Sequence, residues 1–356
     1  MNTELTWEKT TTYGTGIDYG FLNSRITGSI DYYYRITNDL INTVNVPTGT
    51  NFRNKVVSNI GSLYNQGIEF SINAVAIDHQ RSPSKFKWDL GFNFTWNENK
   101  ITKLNAADND STYYVPTGGI SVGTGGSIQA HKVGYTAYTF YVYETQKGTD
   151  AQGNTIYYAV DRNKDGQVNA DDRYMYKSPF APVTMGFQTK FQFYGVDLGI
   201  TLRASIGNYV YNGVLAGQIY NVAPDNVYTD ISGGYQGLTR LAYNTYWSGM
   251  KSDGMYDLIW NEAKGAYEEG KSFSDWFLTD YFVENGSFLR CDNITLGYTF
   301  NEKVTKGKLN ARIYATVQNP FVISGYKGLD PEIYEGRDNS MYPRSLTSVL
   351  SVSIQF

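Results

Sequence analysis

One stretch of this sequence carries oxygen-bearing side chains at a spacing that could hold a metal ion. It reads Asp161-Arg162-Asn163-Lys164-Asp165-Gly166-Gln167-Val168-Asn169-Ala170-Asp171-Asp172. Counted from Asp161, oxygen ligands fall at the first, third and fifth positions, glycine at the sixth and a carboxylate at the twelfth. That is the pattern of a twelve-residue calcium loop. Calcium is a hard cation that gathers several oxygens around a sharp turn, and Gly166 permits the turn. The candidate ligands are Asp161, Asn163, Asp165, Gln167 through its backbone carbonyl, and Asp172. The twelfth residue is Asp rather than Glu, and its shorter arm favours single-oxygen contact and weaker binding. No helical pattern flanks the loop, so it is not a full EF-hand. The competing reading is a solvated turn built on Asp and Asn. Bound calcium would rigidify the loop rather than catalyse.

No catalytic set emerges elsewhere, and the chain is not expected to be an enzyme. Asp257, Glu262, Glu268 and Glu269 lie in a stretch, 255–270, that reads as a helix. Two carboxylates could serve a glycosidase, but acidic residues on a surface helix are usually solvated. His79 and His131 are the two histidines, which argues against a histidine zinc site and against Ser–His–Asp chemistry. Cys291 is the one cysteine. It excludes an internal disulfide framework and reads as a packing residue.

The elements that would position these residues are strands. The chain has 356 residues, with 32 Tyr, 36 Gly, 18 Phe and 6 Trp against only 9 Pro, and 18% charged residues. Tyrosine and glycine in such numbers, with few charges, suit long strands with aromatic rings at a membrane boundary. A net charge of -4 gives no electrostatic case for nucleic acid. No run of eighteen apolar residues is present, so no transmembrane helix is expected. The start, MNTELTWEKT, lacks the basic and apolar regions of a signal peptide.

Nine segments alternate with period two. They are 13–21, 26–36, 68–74, 86–97, 183–193, 196–206, 293–300, 309–318 and 350–356. The clearest sets Phe86, Trp88, Leu90, Phe92, Phe94 and Trp96 against Lys87, Asp89, Gly91, Asn93, Thr95 and Asn97. The last sets Leu350, Val352, Ile354 and Phe356 against Ser351, Ser353 and Gln355. Alternation alone fits a lipid-facing wall with a wet interior as well as a soluble sandwich. The connections separate the two. They run 22–24, 42–60, 78–85, 105–181, 194–195, 214–280, 301–308 and 325–342, alternately short and long. Short periplasmic turns and long extracellular loops are the topology of an outer-membrane barrel. Nine strands would leave two bare edges, which lipid does not tolerate. The expectation is therefore the carboxyl-terminal part of a larger barrel, all-β and antiparallel, spanning 1–356. The inward residues Asp31, Glu69, Asp89, Lys190, Arg203 and Arg312 would line its lumen, and are expected to hold a plug rather than touch substrate. Gly-, Ser- and Thr-rich 105–126 reads as mobile. Aromatics crowd the long loops, among them Tyr114, Tyr141, Tyr143, Tyr157, Tyr211, Trp260 and Trp276. They could stack on sugars or pack on each other.

Several segments together resemble the SusC/RagA-type TonB-dependent transporters of Bacteroidetes outer membranes. They are LTWEKTTTYGTGIDYGF (5–21), GSIDYYYRITNDLI (28–41), NIGSLYNQGIEFSI (59–72), DRNKDGQVNADDR (161–173), VENGSFLRCDNITLGYTF (283–300), QNPFVISGYKGLDPEI (318–333) and MYPRSLTSVLSVSIQF (341–356). The resemblance implies a 22-stranded barrel in the Gram-negative outer membrane. It also implies an amino-terminal plug and TonB-contacting segment, which have no counterpart in this sequence, and a SusD-like surface lipoprotein as partner. The implied cargo is an oligosaccharide or peptide, an oligosaccharide being favoured. The alternative from another class is a secreted all-β, calcium-dependent carbohydrate-binding or adhesion module.

Overall fold

The computed structural model describes residues 5–45, 55–59, 61–79, 85–104, 113–122, 125–149, 153, 155–221, 255–300 and 310–355. Nine strands form one antiparallel sheet in which each strand pairs with its neighbours in sequence. They are β1 (Lys9–Phe21), β2 (Ile26–Asn38), β3 (Ser62–Asp78), β4 (Phe86–Lys103) and β5 (Val183–Phe193). After these come β6 (Val196–Ile206), β7 (Phe288–Thr299), β8 (Asn310–Ser324) and β9 (Thr347–Gln355). Among the described residues β1 and β9 each have one neighbour in this sheet, so it is a wall and not a closed barrel.

The strand lengths follow from two solvents. Lipid on one side and water on the other reward the same alternation over a whole bilayer thickness. On the outer face, Ile17 is 69% exposed, Leu296 55%, Leu350 73% and Val352 63%. A soluble sandwich would bury those residues. Polar groups on this face satisfy each other, as where Trp88 Nε1 donates to Thr189 Oγ1 at 2.9 Å. β3 and β4 extend beyond the apolar pattern because side-chain amides continue the ladder. Gln66 Nε2 donates to Glu98 Oε2 at 2.6 Å, and Asn99 Nδ2 to Asn65 Oδ1 at 2.9 Å.

The fully described turns at one end, 22–25 and 194–195, are tight. Phe193 pairs with Val196 across Tyr194 and Gly195, both with positive φ (48° and 88°), the requirement of a type I′ hairpin. Strand order and the alternation of short and long connections are as the sequence predicts. On the inner face, Arg312 of β8 reaches over β7 to Asp197 of β6, with Nη2 and Oδ2 2.6 Å apart. Gly297 lies beneath this pair. A Cβ there would fall 2.7 Å from Arg312 Nη2 and 2.8 Å from Asp197 Oδ1.

The long loops converge into a second body with its own core. One four-stranded sheet joins Thr145–Thr149, Thr155–Val160, Met255–Asn261 and Ala266–Phe273. Another joins Val115–Ile120, Gly126–His131, Thr139–Val142 and Tyr174–Met175. A third joins Tyr209–Asn212, Val283–Asn285 and Arg337–Asp338, and so ties both ends of the loop between β6 and β7 to the segment between β8 and β9. Ile128, Phe140, Val142, Ala159, Tyr211, Ala216, Met255 and Phe282 pack into one cluster in the middle of these sheets. The water-excluding core thus lies in the loops, whereas the wall keeps its apolar face outward for lipid.

Two expectations are corrected here. Stretch 255–270 is not a helix. Its Ala, Glu and Lys have good helix propensity, but Tyr256, Asp257 and Leu258 pair with Tyr158, Ala159 and Val160 in a parallel ladder, which overrides it. Stretch 105–126 is not mobile throughout, because Val115–Ile120 pairs with Gly126–His131. Residues 105–112 and 123–124 lie outside the described residues.

Candidate functional site

The sequence places its acidic motif on a loop between the strand ending at Val160 and a short 3-10 turn at Ala170–Asp172. The turn is built as the motif predicts. Asp161 Oδ1 accepts from the Asp165 amide at 3.2 Å and Oδ2 from the Gly166 amide at 2.9 Å. Asn163 Oδ1 accepts from Asp165 N at 3.0 Å, and Asp165 Oδ1 from Gln167 N at 2.9 Å. Gly166 has φ +85°, the left-handed backbone this turn needs. Two contacts fix the loop to the 255–273 hairpin. Trp260 N donates to Asp161 Oδ2 at 3.1 Å, and Tyr267 Oη donates to the Asp161 carbonyl at 3.1 Å.

Asp172 closes the loop in a way the spacing does not reveal. Its Oδ1 accepts from Arg162 N (2.7 Å) and Asn163 N (3.2 Å), and its Oδ2 from Asn169 N (2.8 Å). Asp161 and Asp172 are fully buried, with amides pointed at both oxygens of each. Asn163, Asp165 and Gln167 sit on the rim. Among the described residues, no group of three or more His, Cys, Asp or Glu side chains is gathered as a metal would require. As folded, the loop is held by its own hydrogen bonds, and the donor set fits calcium only in part.

Of the other acidic residues, Glu262 and Glu268 line one open recess beside Trp260, and Asp257 and Glu269 do not join them. Glu268 accepts from Asn261 Nδ2 at 2.7 Å and pairs with Lys264. Glu269 accepts from Tyr158 Oη at 2.8 Å, and Glu262 is exposed. Asp257 is buried, with Oδ1 unpartnered, opposite the bulge at Gly270. Burial pushes its carboxyl above the usual range; Lys271 nearby pulls it back and Asp172 adds to the rise. No acid/base pair for a glycosidase results.

The loop aromatics pack mostly on each other. Tyr143 meets Phe273 edge-on at 4.9 Å, Tyr157 meets Tyr281 at 4.8 Å, and Tyr114 lies 4.6 Å from Tyr141. Burial pushes the Tyr141 and Tyr143 phenols up to about 12. Tyr211 is buried and donates to the Phe277 carbonyl at 3.0 Å. Tyr228, Tyr235, Tyr246 and Trp247 lie outside the described residues.

The inner wall forms a recess of about 950 Å³ where β4, β5 and β6 meet the overhanging loops. Asn93, Asn97, Gln188 and Arg203 come from the strands, Tyr138 and Phe180 from one loop, and Glu332 from another. Arg203 binds Glu332 with Nη1–Oε1 2.6 Å and Nη2–Oε2 2.8 Å, and its Nε lies 3.0 Å from both oxygens of Asp292. Behind it Arg290, 3% exposed, binds Asp330 at 2.5 Å, and Arg344 lies 2.9 Å from Glu332. Of the six inward residues expected to line a lumen, this recess takes Arg203 alone. Asp31 and Glu69 line a neighbouring recess, and Asp89 and Lys190 a third. Sequence reasoning missed Asp292, Arg290, Asp330 and Glu332. Arg290 and Asp330 are 40 positions apart and Arg203 and Glu332 are 129 apart along the chain, so spacing could not find them.

Residues 1–184 match the family described as TonB dependent receptor-like, beta-barrel. Across its whole length the chain is 46% identical to the TonB-dependent receptor SusC of Bacteroides thetaiotaomicron, covering 33% of that protein. It is 26% identical to the TonB-dependent receptor P26 of Formosa agariphila, again over its whole length and 35% of the relative. The fold is similar to that of the RagAB peptide importer in its open-open state. There the TM-score is 0.71 at 24% identity, over all of this chain and 35% of that one. The chain spans about a third of the length of the curated relatives it matches.

Proposed function

The chain belongs to the SusC/RagA family of TonB-dependent outer-membrane transporters, and from that premise we propose that it is the carboxyl-terminal part of the barrel of a nutrient importer. Its place is the outer membrane. The observation that carries the reading is the wall itself: nine consecutive antiparallel strands, apolar outward and polar inward, with every long loop at one end. The cargo in this proposal is an oligosaccharide, taken up together with a SusD-like lipoprotein and driven by the TonB complex through a plug encoded elsewhere in the full protein. The unpartnered amides and exposed ring on the inner wall support a neutral, hydroxyl-rich cargo over a charged one. The reading assigns the chain no enzymatic role.

The experiment is growth of cells lacking the full gene on neutral oligosaccharides prepared from starch, inulin and xylan, and on a tryptic casein digest. The proposal expects loss of growth on one saccharide, restored by the gene and dependent on TonB. Loss on the peptide digest alone would reassign the cargo. Recovery of the intact protein from the soluble fraction would overturn the transporter. Calcium as a stiffener of the 161–172 loop is retained as a secondary proposal, supported by the turn geometry at Asp161, Asn163 and Asp165. It expects slower proteolysis of the loop body with calcium than with a chelator; equal rates would remove it.

A further inference from the structure

We infer that the recess formed by Asn93, Asn97, Gln188, Phe180 and Tyr138 is a transit subsite on the barrel wall for one or two sugar units of a neutral saccharide. The inference rests on the transporter reading and adds to it a place where cargo is held beneath the loops.

Three observations carry it. First, the charges around the recess cancel within the protein. Arg203, Arg290 and Arg344 face Asp292, Glu332 and Asp330, and each is engaged. A charged ligand would have to displace a carboxylate from Arg203, whose guanidinium already holds Asp292 and Glu332 through charge-assisted hydrogen bonds. Second, polar capacity is left over in neutral form. Among the described residues no protein hydrogen bond takes up the side-chain amides of Asn93 and Gln188, both exposed. Asn97 accepts from Tyr33 Oη at 2.7 Å through Oδ1, which leaves its Nδ2 donor free. An amide offers a donor and an acceptor side by side, the complement of adjacent sugar hydroxyls. Third, a ring overhangs these amides. Phe180 is 40% exposed, and Tyr138 braces it edge-on at 6.1 Å, itself held by His131 at 4.7 Å. Apolar ring faces beside a few placed polar groups are the usual make-up of a small-ligand site. The volume, about 950 Å³, exceeds what a single sugar ring needs.

The test uses the full-length transporter, with Gln188→Cys and Asn93→Cys made separately and labelled by a membrane-impermeant thiosulfonate. The wild type is the control, because Cys291 is buried. The probe is whichever of the starch, inulin or xylan oligosaccharides supports growth. Both cysteines should label without ligand. At ten times the dissociation constant the saccharide should slow labelling about tenfold by mass action, and the casein digest should not. Failure of either cysteine to label would mean that the recess is filled by another part of the protein, and would overturn the inference. Protection by the peptide digest, or by neither probe, would also overturn it. Because growth is scored independently, cells that import the saccharide without protecting these positions leave the transporter reading standing and remove only the subsite.

Discussion

The guanidinium of Arg203 on β6 grips the carboxylate of Glu332 with two parallel hydrogen bonds, 2.6 and 2.8 Å long. One partner belongs to the wall and the other to the segment between β8 and β9. Fork-to-fork pairs of this kind fix orientation as well as distance. Through Asp292 and Arg344 the same contact also reaches β7 and the approach to β9. The segment is therefore fastened to the inner wall and does not hang from its two ends.

Glu332→Gln keeps the shape and removes the charge. The hypothesis that this contact holds the segment down expects a loss of about 1–2 kcal/mol, allowing for its partial exposure. Trypsin should then cut faster at Lys327, Arg337 and Arg344. An unchanged cleavage rate would show that the segment is held by something else.

Arg290 and Asp330 are more deeply buried, at 3% and 9% side-chain exposure. Arg290→Met strands a buried carboxylate and should cost about 3–5 kcal/mol. Adding Asp330→Leu should recover part of that loss, because the stranded charge goes with it. Additive losses in the double variant would contradict a buried, mutually dependent pair.

Ile200 and Thr201 are adjacent on β6 and face opposite solvents. Ile200→Arg puts a cation against lipid and should cost about 2–4 kcal/mol near the bilayer midplane. Thr201→Arg faces the wet side and should fold nearly normally. The folded fraction in bilayers, read from heat-dependent gel mobility, checks this; equal losses would refute the assignment of faces.

Asp257 gives the loop body a pH dependence. Its folded-state pKa is raised, first by burial, so the ionised form is the costly one. Stability from this group is fullest below the unfolded value near 3.9 and falls as pH rises through the folded value. Asp257→Asn removes that cost. The variant's loop body should melt higher than wild type at pH 8, and the gap should shrink towards pH 4. A gap of the same size at both pH values would rule out the buried charge as its cause.

The wall was legible in the sequence because one physical rule governs each of its residues. Phe92 and Asn93 differ in side because lipid and water differ, and that rule is local. The loop body obeys no local rule. Tyr211, Met255 and Phe282 meet in one core from distant parts of the chain, and no periodicity marks them. The helix expected over 255–270 failed for the same reason, since its pairing partner lies about a hundred residues upstream. The acidic loop was half legible. Its turn follows from Asp161, Asn163, Asp165 and Gly166, but the commitment of Asp172 to amides on both sides depends on how the loop closes.

The two cores of this chain answer to different solvents. The wall is stabilised by matching hydrocarbon, and the loop body by excluding water. In the full barrel, urea should therefore dissolve the loop body first and leave the wall standing in its bilayer, whereas stripping the lipid should do the reverse. On that expectation, a barrel built this way would refold its outer surface without leaving the membrane, and repair at the cell surface would not require a second round of insertion.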